Sequence, residues 1–121
     1  MRFMVLVKAT KNSEAGKMPT PEGLALMDDF NQELIKGGLT VLDGGGLVPS
    51  SKGTRIKFSG GKTTVVDGPF TEAKELVAGY CLIEATSQDE VVDWMRRAPF
   101  GKIDGEAEVE IRRLFGAEDF A

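Results

Sequence analysis

Val77-Ala78-Gly79-Tyr80-Cys81-Leu82-Ile83-Glu84 is the stretch on which the fold turns. Apolar residues stand at both odd and even positions, so a strand made from it buries both faces, as strands in the middle of a sheet do. Gly79 inside it suits a close approach of neighbouring backbone. Residues 2–9 form a second run of this kind, ending where Lys11, Asn12, Ser13 and Glu14 begin a polar loop. Two strands that are apolar on both sides require a cover on each side of their sheet.

Two helices supply one cover. Thr20 offers an N-cap, Pro21 fits the first helical position and Gly37-Gly38 supply the stop, which predicts a helix over 21–36 with Leu26, Met27, Phe30 and Leu34 as its apolar stripe. Ser87 and Glu90 have the spacing of a capping box ahead of a second helix to about Ala98. Val91, Trp94, Met95 and Ala98 share one of its faces, and Pro99 ends it.

Leu39–Leu42 predicts a short strand leading into an irregular loop at Asp43-Gly44-Gly45-Gly46. Thr54–Phe58 and Thr63–Val66 flank Gly60-Gly61, the two-residue loop of a hairpin with a primed turn. That turn sets Phe58 opposite Thr63 and Ile56 opposite Val65 on one inward face, with Arg55, Lys57, Lys62 and Thr64 on the other. Ala107, Val109 and Ile111, alternating with Glu108, Glu110 and Arg112, predict a last strand with one buried side. The order β-α-β, hairpin, β-α-β describes an α+β, ferredoxin-like sandwich with an inserted β-hairpin. Both helices fall on one face of its sheet, so a second copy of the chain is the expected cover for the other, making a homodimer.

The chain has 121 residues, enough for one domain over 1–121, and 41% apolar against 28% charged residues suits a packed core. A net charge of −4 argues against direct nucleic-acid binding, which needs a surplus of Lys and Arg on one face. The apolar runs are too short for a membrane helix and the N-terminus reads as carrying no signal peptide, so no membrane partner is expected and the cytoplasm is the expected compartment. The single cysteine, Cys81, reads as a small buried hydrophobe, with a reactive thiol as the alternative.

The absence of histidine excludes Ser-His-Asp and Cys-His catalysis, and with one cysteine no ordinary zinc site can be assembled, so neither metal nor cofactor is expected. Gly61-Lys62-Thr63 imitates the end of a P-loop, but Ile56 stands where its first glycine belongs and a strand follows where a helix is needed. Gly44–Gly46 fails the dinucleotide fingerprint because Pro49 occupies its last glycine position. Glu106, Glu108 and Glu110 read as a solvated strand face rather than a cation site. Arg55, Lys57 and Lys62 read as charges that keep a hairpin edge from pairing, with an anionic ligand as the alternative.

Asp67-Gly68-Pro69-Phe70-Thr71-Glu72-Ala73-Lys74-Glu75 packs four ionisable groups and a rigid turn into nine residues. This segment resembles the signature of the DGPF-domain branch of the YCII-related family. The likeness extends to Met1–Leu6, Leu42–Leu47, Ala78-Gly79-Tyr80 and Glu108–Arg112, although Arg113 stands where many relatives have proline. The resemblance implies a dimeric α+β barrel, two ferredoxin-like sheets packed face to face. The His-Asp pair proposed for the YCII-like branch has no histidine here. Two functions follow. One is a small-molecule enzyme or ligand-binding protein, with Asp67 as acid or base in a cleft near the dimer interface and Asp43, Lys74, Glu75 and Tyr80 assisting. The other is a non-catalytic regulatory module beside a sigma-factor transcription system, as the resemblance implies. Asp67 itself has two readings: a carboxylate drawn into apolar surroundings, or an Asx-type turn residue held by the N–H groups available in the turn at 69–71, those of Phe70 and Thr71.

Overall fold

A computed structural model describes residues 1–72 and 75–121. The chain runs β1 (Arg2–Lys8), α1 (Lys11–Glu14), α2 (Pro21–Lys36), β2 (Thr40–Gly46), β3 (Thr54–Ser59), β4 (Lys62–Asp67), β5 (Val77–Glu84), α3 (Gln88–Met95), α4 (Phe100–Asp104) and β6 (Val109–Arg113). Short 3-10 turns occupy Ser50–Lys52 and Ala117–Phe120. Four strands form one antiparallel sheet in the order β2-β5-β1-β6, and β3 pairs with β4 apart from it. The two runs that are apolar on both faces are its inner strands. Because every neighbour is antiparallel, β1 runs parallel to β2 across β5, and β5 parallel to β6 across β1. These are the two split βαβ units of a ferredoxin-like α+β sandwich.

The register sorts the side chains. Phe3 lies opposite Ile83, and Val5 lies between Cys81 and Ile111. Phe3, Val5 and Ile83 are buried with Phe30 and Leu34 of α2 and Val91 and Met95 of α3. The alternate set, Met4, Leu6, Tyr80 and Leu82, points away from the helices and is half-buried. This second side is the open face of the sheet.

α2 keeps its predicted bounds, with Thr20 Oγ1 accepting from the Gly23 amide at 3.0 Å. Leu26 departs from the predicted stripe and is 38% exposed. Gly23, Met27, Phe30 and Leu34 keep to a narrow line at i, i+4, i+7 and i+11, and Leu26 sits on its flank. In α3 Ser87 Oγ accepts from the Glu90 amide at 3.2 Å, but Glu90 turns its carboxylate to Thr86, so half of the capping box forms. The helix stops at Met95, short of Ala98, because Arg97 and Ala98 bond three residues back to Trp94 and Met95 and tighten the last turn. Pro99 instead precedes α4.

The glycine run was expected to be an irregular loop, yet it is strand: Gly44, Gly45 and Gly46 pair with Cys81, Tyr80 and Gly79. The strands approach closely. A Cβ on Gly79 would stand 3.0 Å from the Gly45 carbonyl oxygen, as its place in the sequence suggested, and one on Gly44 3.2 Å from that of Tyr80. At the other end Ala107 lies outside β6 and is exposed.

The hairpin has the predicted pairing, Phe58 with Thr63 and Ile56 with Val65. Gly60 and Gly61 take φ +58 and +77, the left-handed geometry a primed turn requires. Its setting differs from the expected inward face: every residue of β3 and β4 is exposed, so the hairpin stands out as an arm. Among the described residues no helix is long and apolar enough to cross a membrane.

Candidate functional site

Asp67 closes β4 opposite Thr54 and is exposed, its Oδ1 accepting from the Thr54 hydroxyl at 3.2 Å. The apolar surroundings expected for it are absent in this chain, because the arm that carries it stands clear of the core. The Phe70 amide, expected to hold the Asp67 carboxylate, donates instead to Ser50 Oγ at 3.1 Å. The rest of the motif is a fastening. A Cβ on Gly68 would lie 1.7 Å from the Ser50 carbonyl oxygen, so only glycine fits. The Gly68 amide donates to the Gly53 carbonyl at 2.9 Å, and the Gly68–Pro69 bond is cis. The Arg55 guanidinium lies over the Phe70 ring, 3.8 Å from its centroid. Ser50 in turn donates its amide and hydroxyl to the Glu14 carboxylate at 3.0 and 2.5 Å. Asp67 to Phe70 thus tie the exit of the arm to the Ser50–Lys52 turn and, through Glu14, to α1.

Asp43 and Tyr80 do meet. Asp43 pairs with Leu82 in register, which puts it on the open face with Tyr80. The Tyr80 hydroxyl donates to Asp43 Oδ2 at 3.0 Å, while Asp43 Oδ1 accepts from the Gly44 amide at 2.9 Å. That bond, and then the carboxylate's charge, push the Tyr80 pKa up. Cys81 points to the core side, where burial first and the Asp43 charge second raise its thiol pKa. This suits the small-hydrophobe reading better than a reactive thiolate. Glu75 lines a cleft of about 370 Å³ with Glu14, Arg55 and Phe70. Lys74 lies outside the described residues. Among the described residues no hydrogen bond links Asp67 to Asp43 or Tyr80.

A larger cleft, of about 520 Å³, opens where the end of β1, α1, the end of β2 and α4 converge. Its wall is largely apolar, with Met18, Leu47, Val48, Phe100 and Ile103, and a polar group is set into it. Asp104 of α4 accepts from the Thr10 hydroxyl and, at 2.7 Å, from Asn12 Nδ2. The Thr10 bond chiefly, then the Asn12 bond, lower the Asp104 pKa, so it is a carboxylate at neutral pH. Thr10 is fixed by its own work as N-cap of α1, its Oγ1 accepting from the Ser13 amide at 3.1 Å and its amide donating to Ser13 Oγ at 2.8 Å. Lys8 and Lys17 add cations to the lining, with Lys8 Nζ 3.3 Å from Glu110. An oriented carboxylate in an apolar slot suits a ligand carrying a hydroxyl or amine donor on an apolar body.

Little in the sequence marks this group. Thr10 followed at the third position by Ser13 is a capping signal inside what reads as a polar loop, but nothing local links it to Asp104, 94 residues away. The acidic strand residues do not gather: Glu106 and Glu108 are exposed, and Glu110 pairs with Lys8 and Arg112. Among the described residues no group of three or more His, Cys, Asp or Glu is placed to hold a metal.

The chain is therefore a ferredoxin-like α+β protein with an added arm and a cleft at one end of its sheet. The family model of the YCII-related domain matches residues 1–115, and the chain belongs to that family. An uncharacterised protein of Rhizobium meliloti (strain 1021) is 44% identical over 50 residues, 41% of this chain and 40% of that protein. The matched stretch thus spans well under half the length of that curated relative. Among solved structures, the chain resembles 5-chloro-2-hydroxyhydroquinone dehydrochlorinase (TftG) from Burkholderia phenoliruptrix AC1100 in complex with 2,5-dihydroxybenzoquinone. The TM-score is 0.49 at 21% identity, over 98% of each chain.

Proposed function

We propose that this is a small-molecule-binding protein of the DGPF branch, one domain over 1–121, working as a homodimer whose sheets pack open face to open face as a dimeric barrel. The observation that carries the binding reading is the Asp104 carboxylate, oriented by Thr10 and Asn12 in the wall of the 520 Å³ cleft. In this reading the ligand presents a donor to Asp104 and its apolar body to Met18, Leu47 and Phe100. Asp67 acts as a turn residue at the base of the arm, supported by its exposure and its bond to Thr54. The dimer is supported by Met4, Leu6 and Leu82, apolar residues on a face that lacks helices.

A thermal-shift screen of hydroxylated and amino-substituted small aromatics and aliphatics tests the site, since binding to the native state alone raises apparent stability. A shift that persists in Asp67→Asn and is lost in Asp104→Asn is expected. Loss in Asp67→Asn with retention in Asp104→Asn would move the site to the motif. No shift with any compound would overturn the binding reading in favour of a non-catalytic regulatory role.

A further inference from the structure

Charge sets the larger cleft apart from the rest of the molecule. The chain carries −4, yet the charged residues of the cleft wall are Lys8, Lys17 and Asp104, which sum to +1. Lys8 shares Glu110 with Arg112, at 3.3 and 3.1 Å, and those three groups again leave one positive charge. Lys17 is exposed and, among the described residues, forms no ion pair. Its charge is felt at Asp104, whose ionised form it favours.

The way α1 ends puts Lys17 there. Gly16 takes φ +81, the left-handed conformation that closes many helices. Its amide donates to the Ser13 carbonyl at 3.1 Å and the Lys17 amide to that of Asn12 at 3.0 Å, the paired bonds of such a closure. One four-residue helix therefore builds both poles of the site: its start supplies Thr10 and Asn12, which fix Asp104, and its end fixes the backbone of Lys17. Glu14, the acidic residue of α1, is engaged by the Ser50 amide and hydroxyl and lies outside the cleft wall.

Two poles of opposite sign in an apolar wall narrow the ligand. A hydroxyl brings one proton to Asp104 and needs one acceptor. An ammonium brings three, and around Asp104 the others would face Met18, Phe100 and Ile103 unpaired, at a cost in desolvation. The lysines repel a cation and attract an anion. We infer that the cleft takes a hydroxycarboxylic acid, its hydroxyl donating to Asp104, its apolar body against Met18, Leu47 and Phe100, and its carboxylate facing Lys17. This rests on the reading of the cleft as a ligand site and narrows the donor to a hydroxyl.

Isothermal titration calorimetry tests it with para-hydroxyphenyl acids of acetate, propanoate and butanoate length. Each is compared with its uncharged primary amide and with the acid that carries aminomethyl in place of the hydroxyl. The best hydroxy acid is expected to bind at least ~10-fold more tightly than its amide, and more tightly than its aminomethyl counterpart. Lys17→Gln, altering an exposed residue, should bring the acid down to the affinity of the amide and leave the amide unchanged. Rising salt should have the same effect on the wild type, because an exposed charge is screened. Asp104→Asn should weaken acid and amide alike. An acid no tighter than its amide, an advantage that survives both Lys17→Gln and high salt, or a tighter aminomethyl acid overturns the hydroxycarboxylate while leaving the cleft as a binding site. So does failure of every acid to bind where neutral compounds of the thermal-shift screen do bind. Binding untouched by Asp104→Asn, or no binding by any compound, overturns the cleft reading as well. Far-UV circular dichroism checks folding, and should a variant not fold, the salt dependence of the wild type decides.

Discussion

Gly68 decides whether the DGPF motif can fold at all. A methyl group there would meet the Ser50 carbonyl oxygen at 1.7 Å and its carbon at 2.7 Å. Both are backbone atoms, so no side-chain rotation relieves the clash. Gly68→Ala is expected to lower stability by about 3 kcal/mol, read by urea denaturation. A loss below about 1 kcal/mol would show that the Ser50–Lys52 turn yields easily. Asp67 beside it should be far more tolerant. Asn can still accept from the Thr54 hydroxyl, and the side chain faces water, so Asp67→Asn is expected to change stability by no more than about 0.5 kcal/mol. A large loss of stability would mean that the charge is engaged by something beyond Thr54, such as a partner subunit.

The C-terminal turn Ala117–Phe120 hangs on one ion pair, which makes it an acid-sensitive element. The Arg113 hydrogen bonds chiefly, then the Gly116 amide, lower the Asp119 pKa from 3.8 to about 2. A depressed folded-state value means that the ionised carboxylate favours the native turn. Its contribution is complete above pH 3.8 and is lost as pH falls through about 2. Between those limits the Phe115 and Phe120 ring resonances should move toward random-coil positions ahead of core signals such as Val91. Asp119→Asn should show the loosened turn already at pH 7. Resonances that hold until global unfolding would refute this. Other elements show what sequence can and cannot reveal. α2 and the hairpin pairing were legible because Thr20-Pro21 and Gly60-Gly61 act within a few residues. Gly44–Gly46 were not, since glycines that open a loop look the same as glycines that admit a neighbouring strand. The Thr10–Asp104 pair was beyond reach for another reason: contacts across 94 residues leave no local periodicity.

The whole molecule poses a question of covering. Its helices bury Phe3, Val5 and Ile83 on one side of the sheet, while Met4, Leu6 and Leu82 on the other side are left half-exposed. Ferredoxin-like sheets with a solvated second face carry polar residues there, because strands with one buried side alternate. Here the inner strands do not alternate, although Asp43, Glu110 and Arg112 bring polar groups to the margins of the same face. An apolar centre ringed by charged side chains is the layout of an interface. Leu82→Glu tests this at the centre of β5, far from the cleft residues Thr10 and Asp104. In a chain that works alone, a carboxylate on this half-exposed face would reach water, and stability should change by no more than about 1 kcal/mol. In a face-to-face dimer, two carboxylates would be driven into the seam, and association should weaken at least ~100-fold. The melting temperature separates the two: wild type should melt at higher temperature as protein concentration rises, and Leu82→Glu at a lower, concentration-independent temperature. If both melt alike at every concentration, the open face is a solvated surface and the barrel does not form.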